Sequence, residues 1–170
     1  MTLSCIVPMA STSARPFMLL ALCVLLQAFI SAQSSGSPFN VIGRVYCDTC
    51  RCGFETPATN YIEGAKVRIE CRDRKSLQVV YSNEGVTDST GTYNISVEDD
   101  HQDEICESVL VSSPVADCKS ADPGRSRATL VLTRYNGVIN ENLSANAMGF
   151  LKDQPLAGCT ELLLQYAPDT

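Results

Sequence analysis

The sequence has few of the residues on which enzymes and nucleic-acid-binding proteins depend. His101 is its one histidine, and no Gly-x-Ser-x-Gly motif is present to supply a hydrolase nucleophile. Lysine and arginine number 13 against 19 aspartate and glutamate residues, which gives a net charge of −6. An acidic chain of this kind argues against nucleic acid or anionic lipid as a partner. We therefore predict no catalytic residue and no cofactor.

Long apolar runs are also scarce, and the one present lies near the N-terminus. Residues 17–30 read FMLLALCVLLQAFI, with Arg15 before them and the small residues Ser31 and Ala32 after them. The run is shorter than the roughly 20 residues that a bilayer core requires, and its flanks are typical of a secretory signal peptide. We predict a signal peptide at residues 1–32, a flexible mature N-terminus at 33–39 and one domain at 40–170. The mature protein is predicted to be secreted, without a membrane span.

Helical periodicity is missing until the last dozen residues, and the alternation typical of strands takes its place. In AKVRIEC, at residues 65–71, apolar side chains alternate with charged ones, and TYNISV at 92–97 repeats this period. Turn residues follow at 83–85, 89–91, 122–124 and 136–137. About seven short strands at this spacing predict an all-β antiparallel barrel or sandwich. Only residues 158–166 favour a short C-terminal helix.

Cysteine is abundant by comparison. Two of the nine cysteines leave with the predicted signal peptide, three lie within CDTCRC at residues 47–52, and four are scattered singly: Cys71, Cys106, Cys118 and Cys159. A redox pair would need a helix directly after the motif, and a zinc cage would need a second closely spaced pair. In an exported protein, seven cysteines allow up to three disulfides and leave one thiol. The pattern favours structural cross-links, and no metal site is predicted.

Several motifs together resemble a known family. They are GRVYCDTCRCGF at residues 43–54, GAKVRIEC at 64–71, GVTDSTGTYNISV at 85–97, DDHQDEIC at 99–106 and MGFLKDQPLAGC at 148–159. This combination resembles the Ole e I-like proteins, the family of the major olive-pollen allergen, which includes pollen-specific and extensin-like secreted plant proteins. The predicted domain at residues 40–170 is accordingly interpreted as an Ole e I-like β domain.

The resemblance implies a β-barrel-like fold stapled by three disulfides. The family pairing, carried over by position, joins Cys47 with Cys118, Cys50 with Cys159, and Cys71 with Cys106. Cys52 departs from the six-cysteine pattern of the family. It is predicted to be a free thiol, with dimerisation of the protein or replacement of Cys50 in its disulfide as alternatives.

Two charged features have alternative interpretations. The run EDDHQDE at residues 98–104 contains His101 and is interpreted as a solvated hairpin tip, with a hydrolase triad or a calcium site as alternatives. The arginines at positions 44, 51, 68 and 72 are interpreted as part of a mixed solvent-exposed face. The alternative is a basic strip that binds an acidic polysaccharide.

Two sequons predict N-glycosylation, at Asn94 in Asn-Ile-Ser and at Asn142 in Asn-Leu-Ser. Asn142 follows a turn and is expected to be the easier target, because the amide of Asn94 belongs to a predicted paired strand.

The resemblance favours a non-enzymatic extracellular interaction protein. It would act in the cell wall or as a ligand of a cell-surface receptor, such as a receptor-like kinase, during pollen or tissue growth. One alternative is a structural wall component that binds pectin or extensin-type glycoproteins. Another is a secreted hydrolase or hydrolase inhibitor, and the missing triad argues against the enzyme.

Overall fold

The structure is a computed structural model that describes residues 37–137 and 140–166. Residues 1–36 lie outside this range, and with them the predicted signal peptide. Within the described residues, no helix has the length and apolar character needed to cross a membrane. The elements are β1 (Phe39–Asp48), β2 (Asn60–Tyr61), β3 (Lys66–Asp73), β4 (Val79–Val86), β5 (Thr92–Val97), β6 (Glu104–Ser112), β7 (Ser120–Ala121), β8 (Arg127–Leu130), a 3-10 helix (Arg134–Asn136), β9 (Asn142–Ser144), β10 (Met148–Leu151) and helix α1 (Cys159–Leu164).

The first sheet is built around the long strand β1. Its first half pairs with β5 in antiparallel fashion and with β9 in parallel fashion. Its second half pairs with β10 in parallel fashion and with β2 in antiparallel fashion, and β7 extends the sheet beyond β10. β1 begins at Phe39, whose ring is buried, so the strand includes the last residue of the segment predicted to be flexible.

The second sheet has the order β4-β3-β6-β8 and is antiparallel throughout. The all-β fold with a short C-terminal helix is therefore confirmed, as a sandwich of two sheets and not as a closed barrel. The described residues form ten strands where about seven were expected, because three of the ten are pieces of only two or three residues.

The core lies between the sheets and contains the inward-facing side chains that the alternation identified. Val67 and Ile69 of β3 are fully buried, as is Tyr93 of β5. The Tyr93 hydroxyl donates a hydrogen bond to the Ser108 hydroxyl at 3.0 Å, which links β5 of the first sheet to β6 of the second. Gly43 lies beside this ring, where a Cβ would stand 2.3 Å from the phenolic oxygen. Glycine at position 43 therefore makes room for the tyrosine.

The turn predicted at residues 83–85 is wrong, because these residues lie inside β4. Gly85 faces Ile95 of β5, and a Cβ at Gly85 would come within 2.7 Å of the Ile95 Cγ1 atom. The side-chain amide of Asn83 donates to the Ser96 carbonyl at 2.7 Å. These turn-forming residue types thus serve the close approach of β4 to β5, a contact that local sequence does not reveal.

Candidate functional site

The loop after β1 is organised by the Asp48 carboxylate, which is 1% exposed. Its Oδ1 atom accepts the backbone N–H of Cys50 at 3.1 Å, and its Oδ2 atom accepts the backbone N–H of Gly53 at 2.6 Å. Gly53 has a φ of +81°, a conformation that glycine adopts without steric cost. The carboxylate therefore folds CDTCRCG into a tight turn, which points successive cysteines in different directions.

Three disulfides tie this loop and the second sheet to the rest of the domain. They join Cys47 to Cys118, Cys50 to Cys159 and Cys71 to Cys106, and these are the pairs that the family resemblance implies. The first two start from the Asp48 turn and reach the segment before β7 and the first residue of α1. The neighbouring cysteines of the motif therefore serve as separate anchors for distant parts of the chain.

Cys52 is the free cysteine of the described residues, and it is partly buried. Its Sγ atom lies 3.4 Å from the Phe54 carbonyl and 3.6 Å from the Asp48 Oδ1 atom. Burial raises the pKa of the Cys52 thiol, and the neighbouring Asp48 carboxylate acts in the same direction. A thiol with a raised pKa forms little thiolate, which is the opposite of what a redox nucleophile needs.

His101 is buried, so its interpretation as part of a solvated hairpin tip is wrong. Its Nδ1 atom lies 2.7 Å from the Glu104 Oε2 atom, and its Nε2 atom lies 3.0 Å from the Glu98 carbonyl oxygen. The ring packs against Tyr81 with 4.7 Å between centroids, and the His101 backbone N–H donates to the Leu132 carbonyl at 2.8 Å. The chain that leaves β8 therefore holds this tip against the sandwich, and both ring nitrogens already have partners.

One carboxylate of the acidic run around His101 is already bound to groups within the protein. The Asp100 carboxylate accepts the Arg134 backbone N–H at 2.8 Å, the Thr133 hydroxyl at 3.1 Å and the Gln102 backbone N–H at 3.0 Å. These bonds outweigh burial and lower the pKa of Asp100. The carboxylate connects the hairpin to the 3-10 helix, which argues against its use as a calcium ligand.

The four arginines considered for a basic strip do not lie on one surface. The Arg44 guanidinium, on β1, lies 3.4 Å from the centre of the Tyr61 ring, and Arg51 donates to the Lys152 carbonyl at 2.6 Å. Arg68 and Arg72 lie on β3 in the other sheet. The four arginines therefore form no single basic strip, and only Arg68 and Arg72, which pair with Glu70, lie together on a mixed-charge face.

A network of alternating charges covers the outer face of β3. Glu70 is 8% exposed, and its carboxylate oxygens form ion pairs with the guanidinium nitrogens of Arg68 at 3.2 Å and Arg72 at 2.5 Å. A guanidinium nitrogen of Arg127 lies 4.0 Å from the same carboxylate. Two more carboxylates complete it: Glu84 pairs with Arg68 at 2.7 Å, and Glu107 pairs with Arg127 at 2.9 Å. Burial alone would raise the pKa of Glu70, but the hydrogen bonds from Arg72 and Arg68 lower it.

Exposed apolar side chains border this charge network at both ends of β3. Val86 pairs with Lys66 at one end and is 60% exposed, and Ile105 pairs with Arg72 at the other end and is 39% exposed. We use the name β3 outer face for the surface made of the Arg–Glu network together with Val86 and Ile105. It combines exposed aliphatic groups with guanidinium groups that are already paired.

Both sequons lie on the outer face of the first sheet. Asn94 of β5 pairs with Ile42, and Asn142 of β9 pairs with Asn40, two residues along β1. Both asparagines are exposed, and the Asn40 side-chain amide donates to the Asn142 Oδ1 atom at 3.3 Å. Glycans at these positions, which stay a prediction, would cover the sheet that does not carry the β3 outer face.

Residues 37–167 match the family described as "Pollen protein Ole e 1 like". The chain is 50% identical over 148 residues to the protein DOWNSTREAM OF FLC of Arabidopsis thaliana, which covers 87% of this chain and 90% of that protein. It is 43% identical over 160 residues to the pollen-specific protein C13 of Zea mays, with 94% and 93% covered. The crystal structure of the major plantain pollen allergen Pla l 1 superposes with a TM-score of 0.65 at 29% identity, and covers 72% of this chain and 100% of that chain.

Proposed function

The chain belongs to the Ole e 1-like pollen protein family, and from this membership we propose that it is a secreted, non-enzymatic protein that binds another protein outside the cell. Its partner would be a cell-wall protein or the extracellular part of a cell-surface receptor, such as a receptor-like kinase, engaged during pollen or tissue growth. The family is the one that the sequence motifs indicated, and that prediction is confirmed.

The observation that carries the proposal is the β3 outer face. Protein interfaces combine apolar groups with arginine, surrounded by a polar rim. Val86 and Ile105 supply exposed aliphatic surface, and the guanidinium of Arg68 between them is held in place by Glu70 and Glu84. Side chains that are already ordered lose little entropy when a partner binds.

The pairing of these charges favours a protein partner over an acidic polysaccharide. Binding to pectin depends on attraction between its carboxylates and cations that are free to meet them. Arg68, Arg72 and Arg127 instead have carboxylates of the protein itself as partners. A polyanion would have to compete with these carboxylates at short range.

Two features support the absence of catalysis. A Ser–His or Cys–His pair needs one imidazole nitrogen free to accept the proton of the nucleophile. In His101, Nδ1 faces Glu104 and Nε2 faces the Glu98 carbonyl. The raised pKa of the Cys52 thiol argues against a cysteine nucleophile.

The test is capture of partners from an extracellular extract of pollen and growing tissue by the immobilised, glycosylated protein. V86D and I105D should each weaken capture of the bound protein at least about tenfold, because each places a charge in an apolar contact. The matched control is L164D on α1, which changes an aliphatic residue outside β3 that is 68% exposed, more than Val86 or Ile105, and should leave capture unchanged.

Other outcomes would replace this proposal. Equal capture by all three variants would exclude the β3 outer face as the interface. Retention on immobilised pectin that is lost in moderate salt would favour the structural wall component. Catalytic turnover by the purified protein on wall polysaccharide or peptide substrates, abolished in H101A, would favour an enzyme.

A further inference from the structure

Four side chains with metal-binding chemistry meet at the end of β3 and β6. One ligand atom from each of Cys71, Cys106, His101 and Glu104 lies within 4.8 Å of all the others. Cys71 and Cys106 are joined as a disulfide in the described structure, and the thiolate, not the oxidised sulfur, is the form that binds metals. We propose that reduction of the Cys71–Cys106 disulfide converts this cluster into a zinc site with two thiolates, one imidazole and one carboxylate.

The strand register keeps the two sulfurs together after reduction. Cys71 and Cys106 are directly opposite in the β3–β6 ladder, which continues on both sides from Lys66–Ser112 to Asp73–Glu104. The hydrogen bonds of this ladder do not depend on the disulfide. Because the other two disulfides join distant parts of the chain, they keep the domain cross-linked when this one opens.

The orientation of His101 fits a metal ligand. In metal sites, a ligating histidine usually donates the N–H of its other ring nitrogen to a carbonyl or carboxylate, which fixes the ring. The His101 Nε2 atom lies 3.0 Å from the Glu98 carbonyl oxygen, and the Nδ1 atom points to the Glu104 carboxylate at 2.7 Å. A cation between Nδ1 and this carboxylate would replace their direct contact and leave the bond to Glu98 in place.

The ligand set favours zinc over calcium and magnesium. Two thiolates with one imidazole and one carboxylate suit tetrahedral Zn²⁺, whereas Ca²⁺ and Mg²⁺ need six or more oxygen ligands. Cys71 and Cys106 are fully buried, while the Glu104 side chain is 26% exposed. Glu104 therefore lies at the solvent side of the cluster and marks the route by which a cation enters.

Reduction of the Cys71–Cys106 disulfide needs a dithiol as the reductant. The dithiol gives two electrons and two protons to the Cys71–Cys106 bond, and becomes a disulfide itself. The two sulfurs are then released as thiols, and Zn²⁺ binding displaces their two protons to solvent. In the reverse exchange, the disulfide form of that dithiol accepts two electrons from the thiolates of Cys71 and Cys106 and two protons from solvent, which restores the protein disulfide and releases the cation.

The experiment uses Co²⁺ as a spectroscopic probe and tests the full mature protein in two forms, the parent and the C52S variant. The C52S variant lacks the spare thiol. After mild reduction and removal of the reductant, peptide mapping identifies the opened disulfide and circular dichroism checks the fold. We expect one Co²⁺ per chain, with the visible absorption of a tetrahedral thiolate complex, displaced by Zn²⁺. The oxidised protein should bind none. In the reduced state, H101Q should weaken Co²⁺ affinity by about tenfold or more, and Q102A should not change it.

Three results would overturn the proposal. The first is a folded, reduced protein that binds no stoichiometric Co²⁺, or that binds it equally well as H101Q. The second is loss of the fold when only the Cys71–Cys106 bond is opened. The third is a folded protein in which this bond resists reductants that open the other two.

Discussion

The backbone N–H of Gly53 and the carboxylate of Asp48 are joined by a 2.6 Å hydrogen bond inside the turn that follows β1. This contact explains why an acidic residue stands between two disulfide cysteines. The carboxylate satisfies two backbone donors of the turn that would otherwise be left without partners, because it also accepts the Cys50 N–H. The anchor points of two disulfides therefore depend on one buried side chain.

Replacing Asp48 should destabilise the protein. D48A leaves the N–H groups of Cys50 and Gly53 without acceptors, and a charged acceptor of this kind contributes about 1.5 to 3 kcal/mol for each bond. We expect the free energy of unfolding in urea to fall by about 3 kcal/mol, with D153A, at an exposed position, as the nearly unchanged control. Equal unfolding midpoints for the two variants would contradict this role of Asp48.

Thiol labelling should find one free cysteine. The denatured but unreduced monomer should react once, at Cys52, because the other six described cysteines form disulfides. In the native protein the reaction should be slow, since burial raises the pKa of this thiol and leaves little thiolate near pH 8. Mass spectrometry of labelled peptides measures the position of the label in the denatured protein and the rate of labelling in the native protein. Label at Cys50 would mean that Cys52 has replaced it in the disulfide with Cys159.

Loss of the Cys47–Cys118 disulfide should be far more damaging than loss of Cys52. This disulfide joins residues 71 positions apart, and the chain-entropy model gives roughly 4 kcal/mol for a loop of that size. We expect C47A to melt about 20 °C or more below the parent, and C52A within a few degrees of it. Calorimetry measures the melting temperatures of both variants. A metal chelator should leave the melting temperature of the oxidised parent unchanged. If the C47A variant melts like the parent, this disulfide is not a structural cross-link.

Replacing His101 should cost stability, because the residue is buried and not part of a solvated tip. H101A removes the packing on Tyr81 and the contacts with Glu104 and the Glu98 carbonyl. A loss of about 2 kcal/mol in the free energy of unfolding is expected. The matched control is Q102A, at the exposed neighbouring position, which should unfold like the parent. If H101A has the same free energy of unfolding as the parent, the interpretation of His101 as part of a solvated hairpin tip is restored.

Tyr46 should make the protein sensitive to alkali. Burial raises the pKa of its phenol from the usual 10.0 to about 12, although the neighbouring Arg125 guanidinium acts in the opposite direction. The folded state thus holds this proton more tightly than the unfolded state. Its contribution to stability is complete below pH 10 and is lost as the pH rises from 10 to 12. Urea unfolding of the parent and Y46F at stepwise pH values should show a smaller loss of stability for Y46F in that window.

Local patterns were sufficient for much of the fold. Alternation identified the buried residues Val67, Ile69 and Tyr93, because a strand with one wet face places every second side chain in the core. The same reasoning failed at Gly85. There the residue type that usually marks a turn is required by Ile95 from another sheet. Contacts between sheets are non-local, and no window of sequence contains both partners.

The candidate sites depended even more on the tertiary structure. An acidic run usually lies in water, and the sequence around His101 shows no apolar partner for the ring. The ring is buried because Tyr81 of β4 packs against it, and the Leu132 carbonyl, in the segment after β8, holds the His101 backbone N–H. The β3 outer face was missed for the same reason. Alternation of charge along β3 was visible, but Glu84, Glu107 and Arg127 enter the network from three other strands.

The sequence by itself determined the all-β class, the short C-terminal helix and the family, because each is recorded in the spacing of residues along the chain. Cysteine spacing alone left the pairing open, and the pairs came from resemblance to the family. Only the tertiary structure decided that the Cys71–Cys106 pair lies beside His101 and Glu104, and that Asp48 is buried within its own turn. Burial and electrostatic pairing depend on distances between residues far apart in the chain, and strand register, which side-chain packing sets across a whole sheet, fixes those distances.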